Sequence, residues 1–375
     1  MEEVTTRTID AAGLTAARAY AALRARSPGR TSFLIEMTAP DERGEQRSTI
    51  GFLTKRESAY PPAAPILAEL SAIAAGMAAP EPAAAPPHGC AGDVAMLIAF
   101  DAVLPALGVP PWADQPFIAR EMRDLTSVVL DHAAGTITIS ASHPNVVERC
   151  ARVLAEAPEL AGLPPAGGDR PEYGIEHPPD AAFAKQLARA ERRLSLGGIE
   201  RLYLPRTFKS QANGADAFDA YRALLEAAPA RYAFFVDLSA SPMFGALAVA
   251  ATGSAAIRVA AGDAAPAELL ALFPVASTAG APAKDALGVM RDLDVGARGL
   301  RGGAFARARP GGHIEMIRAD TIVTLEEEQL QAHGVAEVVP GRDAQAHAAA
   351  AEEDMRAGLV AIRRAQDAAI ARAAG

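Results

Sequence analysis

Hydrophobic positions recur along this chain at two spacings, one near 3.6 residues and one near 2, and these divide it into predicted helices and strands. Residues 9–26 place Leu14, Ala17, Tyr20 and Leu23 on one face of a predicted helix. Thr31–Met37 and Ser48–Leu53 are rich in β-formers and flank a charged turn, which predicts two strands. Thr126–Asp131 and Thr136–Ser140 predict a hairpin closed by His132-Ala-Ala-Gly135. The helical period is clearest over 181–196, where Phe183, Leu187, Ala190 and Leu194 face inward and Lys185, Arg189, Arg192 and Arg193 face out. Arg231–Leu238 predicts a buried strand. Asp343–Ala374 predicts a long Ala-rich helix punctuated by Gly358. Its stripe of Met355, Leu359 and Ile362 either packs in the core or meets a second subunit.

Two breaks interrupt this pattern. Met77–Pro87 is an Ala/Pro-rich run unable to hold regular structure, and Pro164–Pro179 is rich in Pro and Gly. They suggest an N-terminal half over 1–163, a linker over 164–180 and a C-terminal half over 181–375. Hairpins mixed with helices, without steady βαβ alternation, predict an α+β fold.

Composition narrows the class. The 375 residues carry a net charge of -9, which argues against a nucleic-acid footprint and against a basic membrane-surface protein. Cys90 and Cys150 lie far apart, so neither a disulfide framework nor a structural zinc site is expected. The acidic start, Met1-Glu-Glu, lacks the order of a signal peptide. The most apolar window, Asp93–Val109, is broken by Asp101 and Pro105. A soluble protein of the reducing cytoplasm is the expectation.

The most informative stretch runs from Phe273 to Ala304. It reads Phe273-Pro-Val-Ala-Ser-Thr-Ala-Gly-Ala-Pro282, then Met290-Arg-Asp-Leu-Asp294, then Ala297-Arg-Gly-Leu-Arg-Gly-Gly-Ala304. This cadence resembles the signature of the chorismate-utilising family, which includes anthranilate synthase component I and aminodeoxychorismate synthase. Further segments are similar in order: Ser32–Met37, Gln46–Gly51, Gly89–Asp101, Val128–His132, Ile199–Phe208, Tyr221–Leu224, Tyr232–Asp237 and Gly334-Val335. The resemblance implies that family's α/β sandwich, two antiparallel sheets with flanking helices, trimmed by a central deletion between Val259 and Leu269. Family members carry in the missing part a magnesium-binding glutamate and a histidine near the reacting ring.

Departures from the family pattern shape the expected chemistry. The carboxylate expected near Gly245–Val249 is lost, and Asp292 and Asp294, at i and i+2 on a helix, make a poor magnesium cage. No metal and no cofactor are expected. The substitutions lean cationic: Arg201, Arg301, Arg318, His333 and Arg356 suit an anionic ligand if they line the cleft, and are ordinary surface otherwise. Ser277, Thr278 and Gly280 form either a carboxylate-cradling loop or a helix N-cap before residues 283–291. Among the seven histidines, the resemblance places His333 near the ligand, making it the candidate general acid/base. The resemblance adds Gly334 to the ligand-binding set.

The expected function is therefore to bind or convert a small carboxylated, chorismate-like or aromatic metabolite by magnesium-independent chemistry in specialised biosynthesis. The alternative is a catalytically inactive relative, a partner-binding or regulatory subunit. Expected partners are a small anionic carboxylate ligand and a glutamine amidotransferase or synthase subunit, with a homodimer also open. A convergent basic pocket around Arg301, Arg318, His333 and Arg356 would favour the first reading, and a filled cleft the second.

Overall fold

A computed structural model describes residues 4–11, 13–40, 44–61, 64–76, 93–110, 112, 119–165, 181–238, 247–253, 256–259, 279–293, 298–309 and 313–374. Met77–Pro87, most of the second break, and the Ser277-Thr278 pair lie outside these residues.

In chain order the elements are β1 (Thr5–Asp10), α1 (Ala16–Ala25), β2 (Ser32–Met37), β3 (Arg47–Tyr60), α2 (Ile66–Gly76), β4 (Val94–Ile98), β5 (Ala119–Asp131), β6 (Thr136–Ala141) and α3 (Pro144–Ala155). The second half contributes α4 (Ala181–Ser195), β7 (Leu202–Gln211), α5 (Ala217–Ala227), β8 (Tyr232–Asp237), β9 (Leu247–Gly253), β10 (Ala256–Val259) and α6 (Ala283–Asp292). It closes with β11 (Ala304–Arg309), β12 (His313–Arg318), β13 (Thr321–Glu326), β14 (Gln329–Val338) and α7 (Ala344–Ala374). Short 3-10 turns at Phe100–Val103 and Pro105–Leu107 follow β4.

The strands form one hydrogen-bonded path, β10-β12-β11-β4-β5-β3-β2-β8-β9-β13-β14-β7, with β6 and β1 branching from β5. Every pairing between these strands is antiparallel. The path folds over on itself. Phe305 of β11 lies 5.0 Å from Phe33 of β2 and 5.6 Å from Phe234 of β8, although those strands stand four and five places away along the path. The two expected antiparallel layers are thus the two arms of one bent sheet. A register shift between Leu53 and Arg56 of β3, a long strand shared by both arms, marks a local bend.

Alternation along the strands assigns the cores. Phe33, Ile35, Leu97, Met122, Phe234, Val249 and Phe305 meet between the layers. Each buried Phe contributes about 1.5–3 kcal/mol relative to exposure. Residues on the outer face, such as Leu34, Ile50, Val128 and Phe235, pack under α1, α3, α5 and α7. Ile66 and Leu70 of α2 cover β4, β11 and β12 on the other side. Helices thus flank both outer faces of the sandwich.

Two expectations need correction. The helix expected over 9–26 begins at Ala16, where Thr15 caps it by accepting the Arg18 N–H at 3.2 Å. Residues 5–10 instead pair with β6, because their Thr-rich alternation suits an edge strand. Gly358 does not interrupt the last helix, which runs unbroken from Ala344 to Ala374. A Cβ at Gly358 would stand 3.0 Å from that of Ala332, so this glycine lets α7 lie close on β14. The stripe of α7 is core in this chain: Met355 and Ile362 are buried and Leu359 packs against the same cluster. Among the described residues no helix is long and apolar enough to cross a membrane.

Candidate functional site

The last three strands of the path, β13, β14 and β7, have two unlike faces. Ala332 and Gly334 face α7, so the alternate positions Gln329, Gln331 and His333 point the other way. Register places three rows on that opposite face: Thr207–His333–Ile322, Lys209–Gln331–Thr324 and Gln211–Gln329–Glu326. Apart from Ile322, every member is polar.

His333 is held on both ring nitrogens. Nδ1 lies 3.2 Å from the Thr207 hydroxyl and Nε2 lies 3.1 Å from the Thr324 hydroxyl. A neutral imidazole has one donor and one acceptor, and a hydroxyl serves either, so both contacts are satisfied by either tautomer. Burial first, then the positive charges of Arg301 and Lys209, push the imidazole down to about 3 from its ordinary 6.5. The residue as a whole keeps some access to solvent. Its neutral form is the one these surroundings select. Below it, Thr324 and Gln331 are buried, and Gln331 donates to the Glu326 carboxylate at 3.1 Å.

The Arg298–Gly303 turn approaches the β14–α7 seam. Arg298 is buried, lies 4.4 Å from the Phe100 ring centroid and donates to the Tyr203 carbonyl. Burial lowers its guanidinium to about 9, with the Asp101 carboxylate opposing that shift. Asp101 also accepts the Gly299 N–H at 2.9 Å. From this anchored turn Arg301 donates to the His333 carbonyl and pairs with Asp354 of α7. Asp354 accepts the Val335 N–H as well, at 2.8 Å. Gly334 has no room for a side chain, since a Cβ would stand 2.5 Å from the Ala351 carbonyl oxygen and collide with Met355. Arg301, His333 and Gly334 are therefore brought together.

The other expected residues have partners of their own. Arg318 closes on Asp320, which lies beyond the end of β12 rather than on the strand. Arg356 is half-exposed on α7 and pairs with Glu353 at 2.7 Å. Arg201 pairs with Glu337 at 3.7 Å. Gly280 is buried at φ +91, and a Cβ there would meet Ala286 and the Arg201 carbonyl. It serves the close approach of Ala281 to Arg201, where the backbones bridge. The N-cap of α6 is Pro282 and makes no side-chain cap, so that place is not held by Ser277 or Thr278. Asp292 ends α6 in an ion pair with Arg193 at 3.0 Å. Arg301, Arg318 and Arg356 each have a carboxylate of their own.

Thr207, Lys209, Thr324, Gln331 and Asp354 were not anticipated. Alternation in β7 does put Thr207 and Lys209 on one face, but nothing local marks that face as part of a site. Among the described residues no group of three or more His, Cys, Asp or Glu side chains is arranged to hold a metal ion.

A family model described as chorismate binding enzyme matches residues 41–246. No curated protein matches the chain in sequence. The solved structures similar in fold include these three. The anthranilate synthase component I of Streptococcus pneumoniae has TM-score 0.59 and 14% identity, covering 87% of this chain and 90% of its own. MenF, the menaquinone-specific isochorismate synthase of Escherichia coli, has TM-score 0.58 and 11% identity, covering 96% and 95%. A Bacillus anthracis protein described as a 2,3-dihydroxybenzoate-specific isochorismate synthase has TM-score 0.57 and 11% identity, covering 89% and 97%.

Proposed function

Because the chain belongs to the family of chorismate-binding enzymes, we propose that it binds a small carboxylated, chorismate-related or aromatic metabolite on the polar face of β13, β14 and β7. The observation that carries this reading is His333, kept neutral and hydrogen-bonded on both nitrogens by Thr207 and Thr324. A row of hydroxyl, imidazole and amide groups at a face that is part buried and part open suits the hydroxyl and carboxylate groups of such a ligand.

His333 acts here as a hydrogen-bonding group. With its pKa far below neutral, the imidazole offers one neutral N–H and one lone pair for hydrogen bonding and is a poor carrier of a catalytic proton. Magnesium-assisted loss of a ring hydroxyl does not fit the described residues of this face. Its carboxylate, Glu326, is taken up by Gln331, whereas that ion is held through carboxylates. Binding without magnesium is the reading adopted.

A second reading is favoured by the individual pairing of Arg301, Arg318 and Arg356. In it the chain is a catalytically inactive subunit for a glutamine amidotransferase or a synthase. The S. pneumoniae neighbour is itself named as one component of a synthase.

Calorimetric titration with chorismate, isochorismate, prephenate and anthranilate, each with magnesium and with a chelator, tests the first reading. Binding unaffected by the chelator and lost in His333→Ala and Thr207→Val is expected. Heat signals absent for all four compounds would shift the assignment to the subunit reading, which predicts a stable complex with an amidotransferase or synthase chain.

A further inference from the structure

Arg26, Arg30 and Arg149 line one shallow cleft where α1 ends beside α3. Arg26 is the C-cap of α1, and Arg30 stands at the far side of the next turn, with Gly29 at φ +71 before it. Arg149 reaches the same cleft from the middle of α3. The floor is apolar and buried, built from Leu23, Phe52 and Cys150. Burial raises the Cys150 thiol above its usual range, while Arg149 and Arg30 oppose that rise. Both cations therefore lie within electrostatic reach of the floor.

The charge of this cleft is one-sided. The chain holds 45 Asp and Glu against 36 Lys and Arg, yet among the described residues no carboxylate lines the cleft. None of the three arginine side chains has an ion pair or hydrogen-bond partner among the described residues. Arginines elsewhere are tied down: Arg24 pairs with Asp216, Arg206 with Glu352 and Arg307 with Glu315. Arg26 complements the negative end of α1, but Arg30 lies outside that helix and Arg149 in the middle of another. Helix-end stabilisation thus accounts for one of the three. Gathering like charges over a low-dielectric floor is unfavourable until an anion joins them, and the same floor strengthens its attraction.

We propose that this cleft binds the phosphoryl group of a small phosphorylated ligand. Guanidinium forks arriving from α1, its following turn and α3 match a tetrahedral dianion, whose oxygens accept several charge-assisted hydrogen bonds at once. The hydroxyls of Ser27 and Thr126, at the same cleft, add neutral donors. The cleft encloses about 20 Å³, room for one oxygen-sized group, so it holds the head of the ligand and leaves the body outside. It shares no residue with the polar face of β13, β14 and β7, and the proposal does not rest on the reading of that face.

The test is isothermal titration of the full chain with phenyl phosphate, pyrophosphate and malonate. It is run at about pH 8, where phenyl phosphate and malonate both carry two charges. Wild type is compared with Arg30→Gln, Arg149→Gln and, as a control outside the cleft, Arg152→Gln on the same helix. Each of these arginines is exposed, so the variants keep the fold. Both phosphoryl compounds are expected to bind wild type more tightly than malonate does. Arg30→Gln and Arg149→Gln each weaken them about tenfold, and Arg152→Gln leaves them unchanged. Raising the salt weakens the binding, because the cations are exposed. Weakening of the same size in Arg152→Gln would mean diffuse surface charge and overturn the site. Malonate binding as tightly as phenyl phosphate overturns the ligand class. Absence of binding by both phosphoryl compounds in wild type overturns the proposal.

Discussion

Arg301 and Asp354 form the joint between the Arg298–Gly303 turn and α7, and β14 is fastened into it from both partners. Arg301 donates to the His333 carbonyl while Asp354 accepts the Val335 N–H, so two neighbouring backbone groups of one strand depend on one ion pair. Arg301→Ala takes one donor from the part-buried His333 carbonyl and leaves a half-exposed carboxylate without its cation. The expected cost is about 1–3 kcal/mol, read as a lower urea midpoint. Asp354→Asn, which still accepts from Val335, is expected to cost less. An unchanged midpoint in Arg301→Ala, accompanied by loss of ligand binding, would instead make this arginine part of the ligand site.

The state of His333 predicts a pH dependence of definite sign. Its folded pKa lies below the ordinary 6.5, so between that value and about 3 the unfolded chain binds a proton that the folded chain does not. The contribution to stability is complete above about 6.5 and is lost progressively as the pH falls toward the folded value. His333→Gln keeps a neutral amide between the two threonines and removes the titration. Melting temperature plotted against pH should therefore be flatter for that variant than for wild type between pH 6.5 and the onset of acid unfolding. Parallel curves would contradict the neutral imidazole.

Gly334→Ala tests the contact between β14 and α7. The added methyl meets the Ala351 carbonyl and Met355, an overpacking expected to cost about 1–3 kcal/mol. Met355→Ala in the same chain removes the side-chain clash but leaves the backbone one, so thermal unfolding of the double variant should recover only part of the loss. Full recovery would mean that Met355 alone demands glycine here.

Arg298→Lys should behave as a disruptive change despite keeping the charge. A lysine loses the planar contact with Phe100 and reproduces the hydrogen bond to the Tyr203 carbonyl poorly. About 2 kcal/mol is expected from the buried cation–π contact. Trp112, the single tryptophan, belongs to the same buried cluster as Phe100 and supplies the readout. A red shift of its emission with a lower unfolding midpoint is the expected result, and wild-type values for both would show that the stacking contributes little.

Legibility in the sequence followed the range of the interactions. The helix at 181–195 was plain because its four inward residues share one stripe, and all four are buried. The hairpin of β5 and β6 was plain because its turn is local. Residues 9–26 misled because Leu14, Tyr20 and Leu23 set a helical period that Ile9 also satisfies, while the pairing of Thr5–Asp10 with Thr136–Ala141 is visible only in three dimensions. The single bent sheet was hidden for the same reason, since β2 pairs with β8 and β4 with β11 across long separations. At the site, the resemblance singled out His333 and Arg301, yet their partners were beyond it. Thr207 is 126 residues from His333 and Asp354 is 53 from Arg301, and neither residue type advertises a role by itself.

The bent sheet has a consequence for how the chain is made. In the segment ending at residue 163, β2 and β4 lie at the two ends of the run β4-β5-β3-β2, and each has a bare edge until β8 and β11 are synthesised. Bare strand edges invite pairing with other chains. A nascent chain halted near the middle is thus a sticky, unfinished product, and completion waits on contacts between distant segments, which close slowly. Expression of either half alone should yield aggregates, whereas co-expression of the two halves offers each edge its native partner.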